Sequence, residues 1–217
     1  MNEPCSTPLL KPIVPAYHVR ILDDEQLEQF RAATLEILEE TGIHCPSVRA
    51  RELYASHGAN VNHGTQIVRI PTEVVLKFMS MAPRFYTMGA RSLEHDIHLD
   101  GKALYCATDG CGVETIDFET RKRRPSCKDD IARMARVADY LPSVGFYWPI
   151  VSAQDFRTTA PLHELDASFN NTVKHVQTET VMDSQVADYA MTVAISMAYS
   201  AIRASITVSV WTCLTVF

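Results

Sequence analysis

The sequence predicts an α/β fold, and two observations carry that prediction. First, segments typical of strands and helices alternate from Ala103 to the end of the chain, and such alternation builds a parallel sheet whose faces are covered by helices. Second, about 115 residues remain from Ala103 onward, whereas a closed (β/α)8 barrel needs roughly 250. The alternating segment is therefore either a short open sheet or half of a larger one.

The alternating segment divides into predicted elements that follow one another without long gaps. They are strand 103–108, helix 127–141, strand 144–151, helix 161–170, strand 174–178, helix 183–198 and strand 206–217. Ser126 and Asp129 form a capping-box pattern at the start of the first helix, and Pro142 ends it. Apolar residues recur inside it at helical spacing, as at Ile131 and Ala135, so one face is expected to pack on the sheet.

The first hundred residues predict a mainly helical region with short strands. Asp23 and Gln26 have the form of a capping box, and apolar residues then recur at helical spacing until Gly42. Asp100-Gly101 separates two alternating runs, so we expect a hairpin that pairs 97–99 with 104–106. The chain is therefore divided into an N-terminal region, 1–100, and a second domain, 101–217.

Composition and charge narrow the possible partners. The net charge of −6 and the pI near 5.7 argue against a nucleic-acid surface, and the basic residues 121–124 are interpreted as a solvated loop. No stretch reaches the ~18 apolar residues that a membrane span requires, and the N-terminus shows no signal peptide. Six scattered cysteines do not resemble a disulfide framework, so reduced thiols in the cytoplasm are expected.

Ligands of parallel α/β sheets bind at the carboxyl ends of the strands, and residues near those ends are the candidates for substrate binding. They are Tyr105, Asp109, Trp148 and Glu179. A tryptophan there can face a cationic ammonium group through cation–π attraction, although it can equally fill the sheet interior. Glu179 is the best carboxylate candidate, whereas Asp109 with Gly110 is also an ordinary turn dipeptide. These loops suit a small polar or cationic substrate.

The histidines and cysteines near the predicted strands are interpreted as structural residues rather than as catalytic groups or metal ligands. His175 begins the third predicted strand, and a satisfied structural histidine is favoured over a base or a metal ligand. Cys106 and Cys111 lie five positions apart, and His95 and His98 three apart; neither spacing is a recognised zinc pattern. No metal site is therefore expected, and the catalytic residues stay unassigned.

The run from Thr108 to Asp155 resembles the trimethylamine/glycine betaine methyltransferase family, in the segment TDGCGVETIDFETRKRRPSCKDDIARMARVADYLPSVGFYWPIVSAQD. Supporting stretches are LEILEETGIHCPSVRARELYASHGANV and PLHELDASFNNTVKHVQTET. The resemblance covers residues 20 to 198. It implies a (β/α)8 TIM-type barrel preceded by a helical region, so this chain is expected to hold a partial barrel, about half of one.

The resemblance also implies an activity. Members of the family transfer a methyl group from a methylated amine, such as trimethylamine or glycine betaine, to a corrinoid protein. The corrinoid is carried by that partner protein, so no cofactor is expected to bind this chain directly. The family's reactive positions, including the pyrrolysine of the trimethylamine branch, are expected to lie beyond Phe217. We therefore expect a fragment that lacks the later catalytic half and shows no turnover alone.

Two alternatives stay open at this point. Either the chain is part of a methyltransferase, or it is an α/β remnant or small-molecule binding protein without catalysis. In both cases the open edges of an unfinished sheet favour self-association. The segment 199–217 contains Arg203 but no acidic residue, and a frameshifted or misjoined terminus is the hypothesis that this composition suggests.

Overall fold

The structure is a computed structural model that describes residues 7–17, 19–110, 112–178 and 183–200, the last four of these by their backbone alone. The described residues divide into two compact units. One comprises residues 16–84, and the other comprises residues 7–15 together with 85–200. The predicted strand 206–217 lies outside the described residues.

The unit 16–84 contains three helices and a small antiparallel sheet. Its elements are α1 (Asp24–Glu36), a π-helical turn (Ile37–Thr41), β1 (Ile43–His44), α2 (Val48–Ser56), β2 (Asn60–Asn62), β3 (Ile67–Arg69) and α3 (Thr72–Met81). The strands pair in the order β1-β3-β2. Their core is formed by Cys45, Ala59 and Val68.

Both ends of the first helical segment follow from the sequence. The Asp23 carboxylate accepts a hydrogen bond from the Gln26 backbone N–H at 2.8 Å, and the Gln26 side chain accepts one from the Asp23 N–H at 3.0 Å. The predicted capping box is therefore confirmed. Gly42 ends the segment at φ +77°, where a Cβ atom would lie 2.4 Å from the Val68 carbonyl oxygen, so only glycine fits there.

The other unit contains the alternating strands and helices. Its elements are β4 (Tyr86–Met88), a 3₁₀ turn (Leu93–His95), β5 (Ile97–Leu99), β6 (Cys106–Ala107), β7 (Glu114–Ile116), β8 (Arg123–Pro125), α4 (Lys128–Tyr140), β9 (Val144–Tyr147), a 3₁₀ segment (Gln154–Thr159), α5 (Ala160–Phe169), β10 (His175–Val176) and α6 (Ser184–Ser200). Strands β6, β9 and β10 form a parallel sheet in that order. The described sheet is open, and a barrel architecture stays a prediction.

The helices pack on one face of this parallel sheet. Ile131 and Ala135 of α4 are fully buried against Tyr147 of β9, whose hydroxyl donates a hydrogen bond to the Ile131 carbonyl oxygen at 3.1 Å. Val176 of β10 packs with Leu165 of α5 and with residues of α6. This burial of the apolar stripes is the stabilisation that the helix periodicity predicts.

The capping box predicted at Ser126 and Asp129 is wrong by one residue. The N-cap is Cys127, whose backbone N–H donates to the Asp130 carboxylate at 3.0 Å. Asp130 occupies this place because Arg124 holds both of its carboxylate oxygens at 2.7 Å. The Ser126 hydroxyl is engaged elsewhere, since it donates to the Ser152 carbonyl oxygen at 2.6 Å.

The predicted hairpin of 97–99 with 104–106 is also wrong. Strand β5 pairs antiparallel with β4, which precedes it in the chain. Leu104 instead exchanges two backbone hydrogen bonds with Ile13, at 2.8 and 2.9 Å. Cys106 then pairs in parallel with Val144. The turn at Asp100-Gly101 therefore redirects the chain to two distant partners, which a local turn pattern cannot reveal.

Candidate functional site

The carboxyl ends of β6 and β9 are joined by a side chain. The Thr108 hydroxyl donates to the Trp148 carbonyl oxygen and accepts from the Trp148 N–H, both at 2.7 Å. Just beyond, Gly110 lies against Ile150 so closely that a Cβ atom would fall 2.3 Å from its carbonyl oxygen. Gly112 bridges in parallel to Val151. The loop after β6 is thus held on the loop after β9.

Strand alternation assigns side chains to the two faces of the sheet. Tyr147 and Val176 pack toward the helices, so the residues next to them point to the opposite face. We call that opposite face the helix-free face and define it by Phe146, Trp148, His175 and Gln177. Phe146 pairs in register with His175, so the four residues form two adjacent layers, with Trp148 and Gln177 nearer the carboxyl edge.

His175 lies in the deeper layer and is almost completely buried, with 1% of its surface exposed. Its Nδ1 atom is 2.7 Å from the Gly89 carbonyl oxygen, which fixes the proton on Nδ1. Burial lowers the pKa of His175, against the opposing effects of the Gly89 hydrogen bond and the Asp96 charge. The ring is therefore neutral at pH 7, and it stands edge-on to Phe146 at 6.1 Å between centroids.

Two polar atoms on the helix-free face are buried without a hydrogen-bond partner among the described residues: His175 Nε2 and Trp148 Nε1. One is an acceptor lone pair and the other an indole N–H donor. Leaving such a group unsatisfied costs about 1–3 kcal/mol, so native proteins rarely do so. Both atoms are therefore unsatisfied polar groups packed inside this face.

A β-hairpin rises from the same edge of the sheet, between β6 and α4. It consists of β7 and β8, paired antiparallel. Arg124 on β8 binds Asp130 of α4 and lies 3.5 Å from Asp117 in the hairpin turn, so the hairpin is fixed to the helix N-terminus. The Arg124 guanidinium is the main reason that the pKa of Asp130 falls from 3.8 to about 2. In the basic cluster 121–124, Arg124 therefore has a structural role, because it fixes the hairpin to α4.

A groove in the other unit, 16–84, offers few polar groups. Its volume is about 680 Å³, and its walls are apolar side chains of α2 and α3, including Leu53, Val74 and Phe78. His57 is its single titratable imidazole among the described lining. A binding site normally combines apolar walls with convergent polar groups, so the helix-free face is the better candidate site.

Comparison with known proteins assigns the family. The sequence model of trimethylamine methyltransferase (MTTB) matches residues 3–211. This chain belongs to that family. Trimethylamine methyltransferase MttB of Desulfitobacterium hafniense is 34% identical over 154 residues, which are 70% of this chain and 31% of that protein.

Similar proteins also occur in Methanosarcina species. Trimethylamine methyltransferase MttB1 of Methanosarcina mazei is 26% identical over 162 residues, or 72% of this chain and 33% of that protein. MttB of Methanosarcina barkeri is 27% identical over 162 residues, with the same coverage. The chain thus spans about a third of the length of the curated relatives that it matches.

The structure places the predicted substrate-binding residues in different surroundings. Trp148 lies on the helix-free face, and Asp109 is exposed beyond the end of β6. Tyr105 precedes β6 and packs against β9, where a Cβ on Gly145 would lie 3.0 Å from its Cβ. Glu179 lies outside the described residues. The substrate-binding roles of these four residues stay predictions.

The sequence does not single out Phe146, a member of the helix-free face, or Asp96, whose charge acts on His175. Asp96 lies in a segment that precedes the parallel strands. The signal for Phe146 is its position two residues before Trp148, since alternate strand residues share a face.

Among the described residues, no three histidine, cysteine or acidic side chains are grouped so as to hold a metal ion. No helix in the same part of the chain is long and apolar enough to cross a membrane.

Proposed function

We propose that this chain is part of a methyltransferase that moves a methyl group from a methylated amine to the cobalt of a corrinoid protein. Trimethylamine or a quaternary amine such as glycine betaine is the proposed donor, and the corrinoid is carried by a partner protein. The proposal is supported by membership of the trimethylamine methyltransferase family. It is also supported by the aromatic side chains of the helix-free face, where Phe146 and Trp148 are partly exposed.

We also propose that the parallel sheet is the first part of a TIM-type barrel. The support is the strand order, because β6, β9 and β10 lie side by side in the order in which they occur along the chain, and each neighbouring pair is parallel. In a barrel the side chains opposite the helices point inward, so the helix-free face becomes the barrel interior and its carboxyl edge becomes the mouth. A cytoplasmic location is part of the same proposal, supported by free thiols at Cys45, Cys106 and Cys127.

The chemistry asks two things of this chain. A methylated ammonium group must be held with one N–CH₃ bond aimed at the acceptor, because alignment of the reacting atoms supplies much of the rate. The positive charge must also be stabilised away from water, which aromatic rings achieve by cation–π attraction. Phe146 and Trp148 supply the rings, and Asp96 supplies negative charge near His175. The partner's reduced cobalt supplies the nucleophile.

The partly exposed Trp148 ring near the carboxyl edge of the sheet is the observation that carries the proposal, and its substitution is the test. We expect trimethylammonium chloride or glycine betaine to bind the chain saturably in titration calorimetry, and Trp148→Ala to abolish the binding. Phe118→Ala is the matched control, because Phe118 is 79% exposed on the hairpin. Binding that survives Trp148→Ala, or no saturable binding by the unaltered chain, contradicts the proposed site.

A transfer assay separates catalysis from binding alone. The chain is mixed with a reduced corrinoid protein and trimethylamine, and methylation of the cobalt is followed by absorbance. No turnover is expected from this chain alone, because it spans a third of its relatives' length. Turnover in the assay would contradict this expectation and show that this chain already holds the catalytic groups.

A further inference from the structure

The hairpin formed by β7 and β8 turns one face to solvent and the other to the protein. In its register Ile116 lies opposite Arg123, and Thr115 lies opposite Arg124. Arg124 points inward, because it binds Asp130 of α4. Its strand neighbour Arg123 and the paired Ile116 therefore point outward, and both are exposed. The outward face thus places an apolar side chain next to a cation.

The turn of the hairpin adds exposed groups of the same two kinds. Phe118 is 79% exposed, and the Arg121 guanidinium lies over its ring, 4.7 Å from the centroid. Arg121 and Lys122 form no ion pair with any described residue. We define the hairpin surface by Ile116, Phe118, Arg121, Lys122 and Arg123.

The hairpin is held in a fixed position before any partner arrives. At its base the Ser126 N–H donates to the Val113 carbonyl oxygen at 3.1 Å, and the Ser126 hydroxyl donates to the Ser152 carbonyl oxygen at 2.6 Å. In its turn the Asp117 N–H donates to the Lys122 carbonyl oxygen at 2.9 Å. A surface that is already ordered loses less conformational entropy when it binds.

The hairpin surface stands at the carboxyl edge of the parallel sheet, next to the proposed amine site. Gly112, which leads into the hairpin, donates to the Ile150 carbonyl oxygen at 3.1 Å and accepts from the Ser152 N–H at 2.8 Å. The hairpin therefore begins on the loop after β9. In the proposed transfer the partner's cobalt has to reach the amine at this edge, so a partner that approaches the edge meets the hairpin.

Charge indicates what kind of surface fits the hairpin. The chain carries a net charge of −6, yet residues 121–124 are consecutive cations. An acidic protein surface with an apolar centre complements exposed cations grouped around apolar side chains. An anionic lipid surface is disfavoured, because lipid-binding segments carry about 4–8 clustered cations. Here Arg123 is paired with Glu114 and Arg124 with Asp130.

Resting on the proposed function, we propose that the hairpin surface docks an acidic, partly apolar surface of the corrinoid protein. Arg121 and Lys122 attract the partner and set its orientation. Ile116 and Phe118 become covered on docking, where apolar anchors carry much of the binding energy. The hairpin is an interaction surface in this scheme and takes no part in the chemical step.

The test measures binding of the corrinoid protein to this chain by calorimetry, with the cobalt oxidised so that no methyl group is transferred. We expect saturable binding at about 50 mM NaCl that weakens at about 300 mM, because salt screens exposed charges. Lys122→Glu should weaken binding about tenfold at the lower salt concentration, because it replaces an attraction by a repulsion. Ile116→Ala should weaken it about fivefold at both salt concentrations.

The matched controls make the same kinds of change toward the amino edge of the sheet. Lys102→Glu alters a side chain that is 85% exposed before β6, and Val137→Ala alters one that is 61% exposed near the C-terminal end of α4. Both should keep the affinity within about twofold of the parent, since charges beyond a Debye length are screened. Circular dichroism checks that each variant keeps the parent fold.

The outcomes separate the docking surface from the proposed function. If Lys122→Glu and Ile116→Ala bind the corrinoid protein as the parent does, or if Lys102→Glu weakens binding as much as Lys122→Glu, the inference is overturned and the proposed function stands. Absence of any binding overturns the docking, while the amine titration still decides the donor site. Phosphatidylcholine vesicles containing phosphatidylserine form the last arm. Binding to these vesicles that is lost in Lys122→Glu would assign the hairpin to a membrane and overturn the inference.

Discussion

Lys174→Met should destabilise the chain by about 3 kcal/mol, because Lys174 holds β10 to the end of α4. Its ammonium group is fully buried and donates to the carbonyl oxygens of Ala138, Leu141 and Val144 at 2.7–2.8 Å. The first two of these carbonyls lie at the C-terminal end of α4, where positive charge is favourable. Lys174 thus replaces the cap that a glycine or a surface cation would otherwise supply.

The magnitude follows from what methionine removes and what it leaves. Each carbonyl deprived of its donor costs about 1–3 kcal/mol, but at least two of the three keep a backbone partner. Ala138 still accepts from the Leu141 N–H, and Leu141 still accepts from the Val144 N–H. Methionine has a similar volume and avoids the cost of dehydrating an ammonium group. A net loss of about 3 kcal/mol lowers a urea midpoint by roughly 1 M or more.

The assay is urea unfolding followed by tryptophan fluorescence in a Trp211→Phe background, so that Trp148 reports on this unit alone. Lys102→Met is the matched control, because Lys102 is 85% exposed in its side chain, and it should stay within about 0.5 kcal/mol of the parent. If the free energy of unfolding of Lys174→Met also stays within about 0.5 kcal/mol of the parent, the ammonium group contributes no more than an apolar side chain would. The argument that Lys174 caps α4 then fails.

The pH dependence gives a second check with a fixed sign. Burial lowers the pKa of Lys174 below 10.5, its ordinary value. Between the lowered value and 10.5 the unfolded chain binds more protons than the folded chain, so stability rises with pH in that window. This gain in the free energy of unfolding, which comes from deprotonation of Lys174, is complete above pH 10.5. It is lost as the pH falls through the pKa of Lys174 in the folded chain. Lys174→Met should lack this alkaline rise, and the same rise in both proteins would refute the assignment.

Two further predictions concern the carboxyl edge of the sheet. Asp130→Asn should lower the free energy of unfolding at pH 7 by about 2 kcal/mol, because Arg124 is the main cause that lowers the pKa of Asp130 from 3.8 to about 2. This contribution of the Asp130 carboxylate to stability should disappear as the pH falls from about 4 to about 2. If Asp130→Asn is still less stable than the parent at pH 2, the ion pair is not the cause. Gly110→Ala should destabilise the chain by about 1–3 kcal/mol through overpacking and weaken amine binding, because its Cβ would meet Ile150 at 2.3 Å. Gly112→Ala is its control, since the nearest atom lies at 3.4 Å, and equal effects of the two substitutions would contradict the close-approach argument.

The sequence predicts those parts of the fold that depend on local patterns. The stripe through Ile131 and Ala135 and the stop at Pro142 define α4, and the structure begins and ends that helix within one residue of the prediction. The pairing of Leu104 with Ile13 depends on two segments about 90 residues apart, and no local pattern contains that information. Arg124 likewise selects Asp130 over its neighbour as the capping acid through a contact that forms only on folding.

The candidate site divides in the same way. The rule that ligands bind at strand ends led to Trp148 without knowledge of any contact. The importance of His175 depended on the register that pairs it with Phe146 and on the Gly89 carbonyl that fixes its tautomer. Both features depend on tertiary structure, so the sequence alone favours a structural interpretation of a histidine at the start of a strand. Asp96 was missed for the same reason, because its closeness to His175 comes from a segment that pairs elsewhere.

The stability of β10 and the position of His175 are linked through one short stretch of chain. Lys174 points to the helix side and His175 to the helix-free face, because consecutive strand residues alternate. Asp139 of α4 strengthens the same connection, since it accepts from the Thr172 hydroxyl and the Val173 N–H at 2.7 and 2.9 Å. The register of β10 against β9 is therefore set from the helix side. Because a slip of one residue would exchange the two faces, loss of the Lys174 contacts should loosen the position of the His175 ring before it unfolds the sheet.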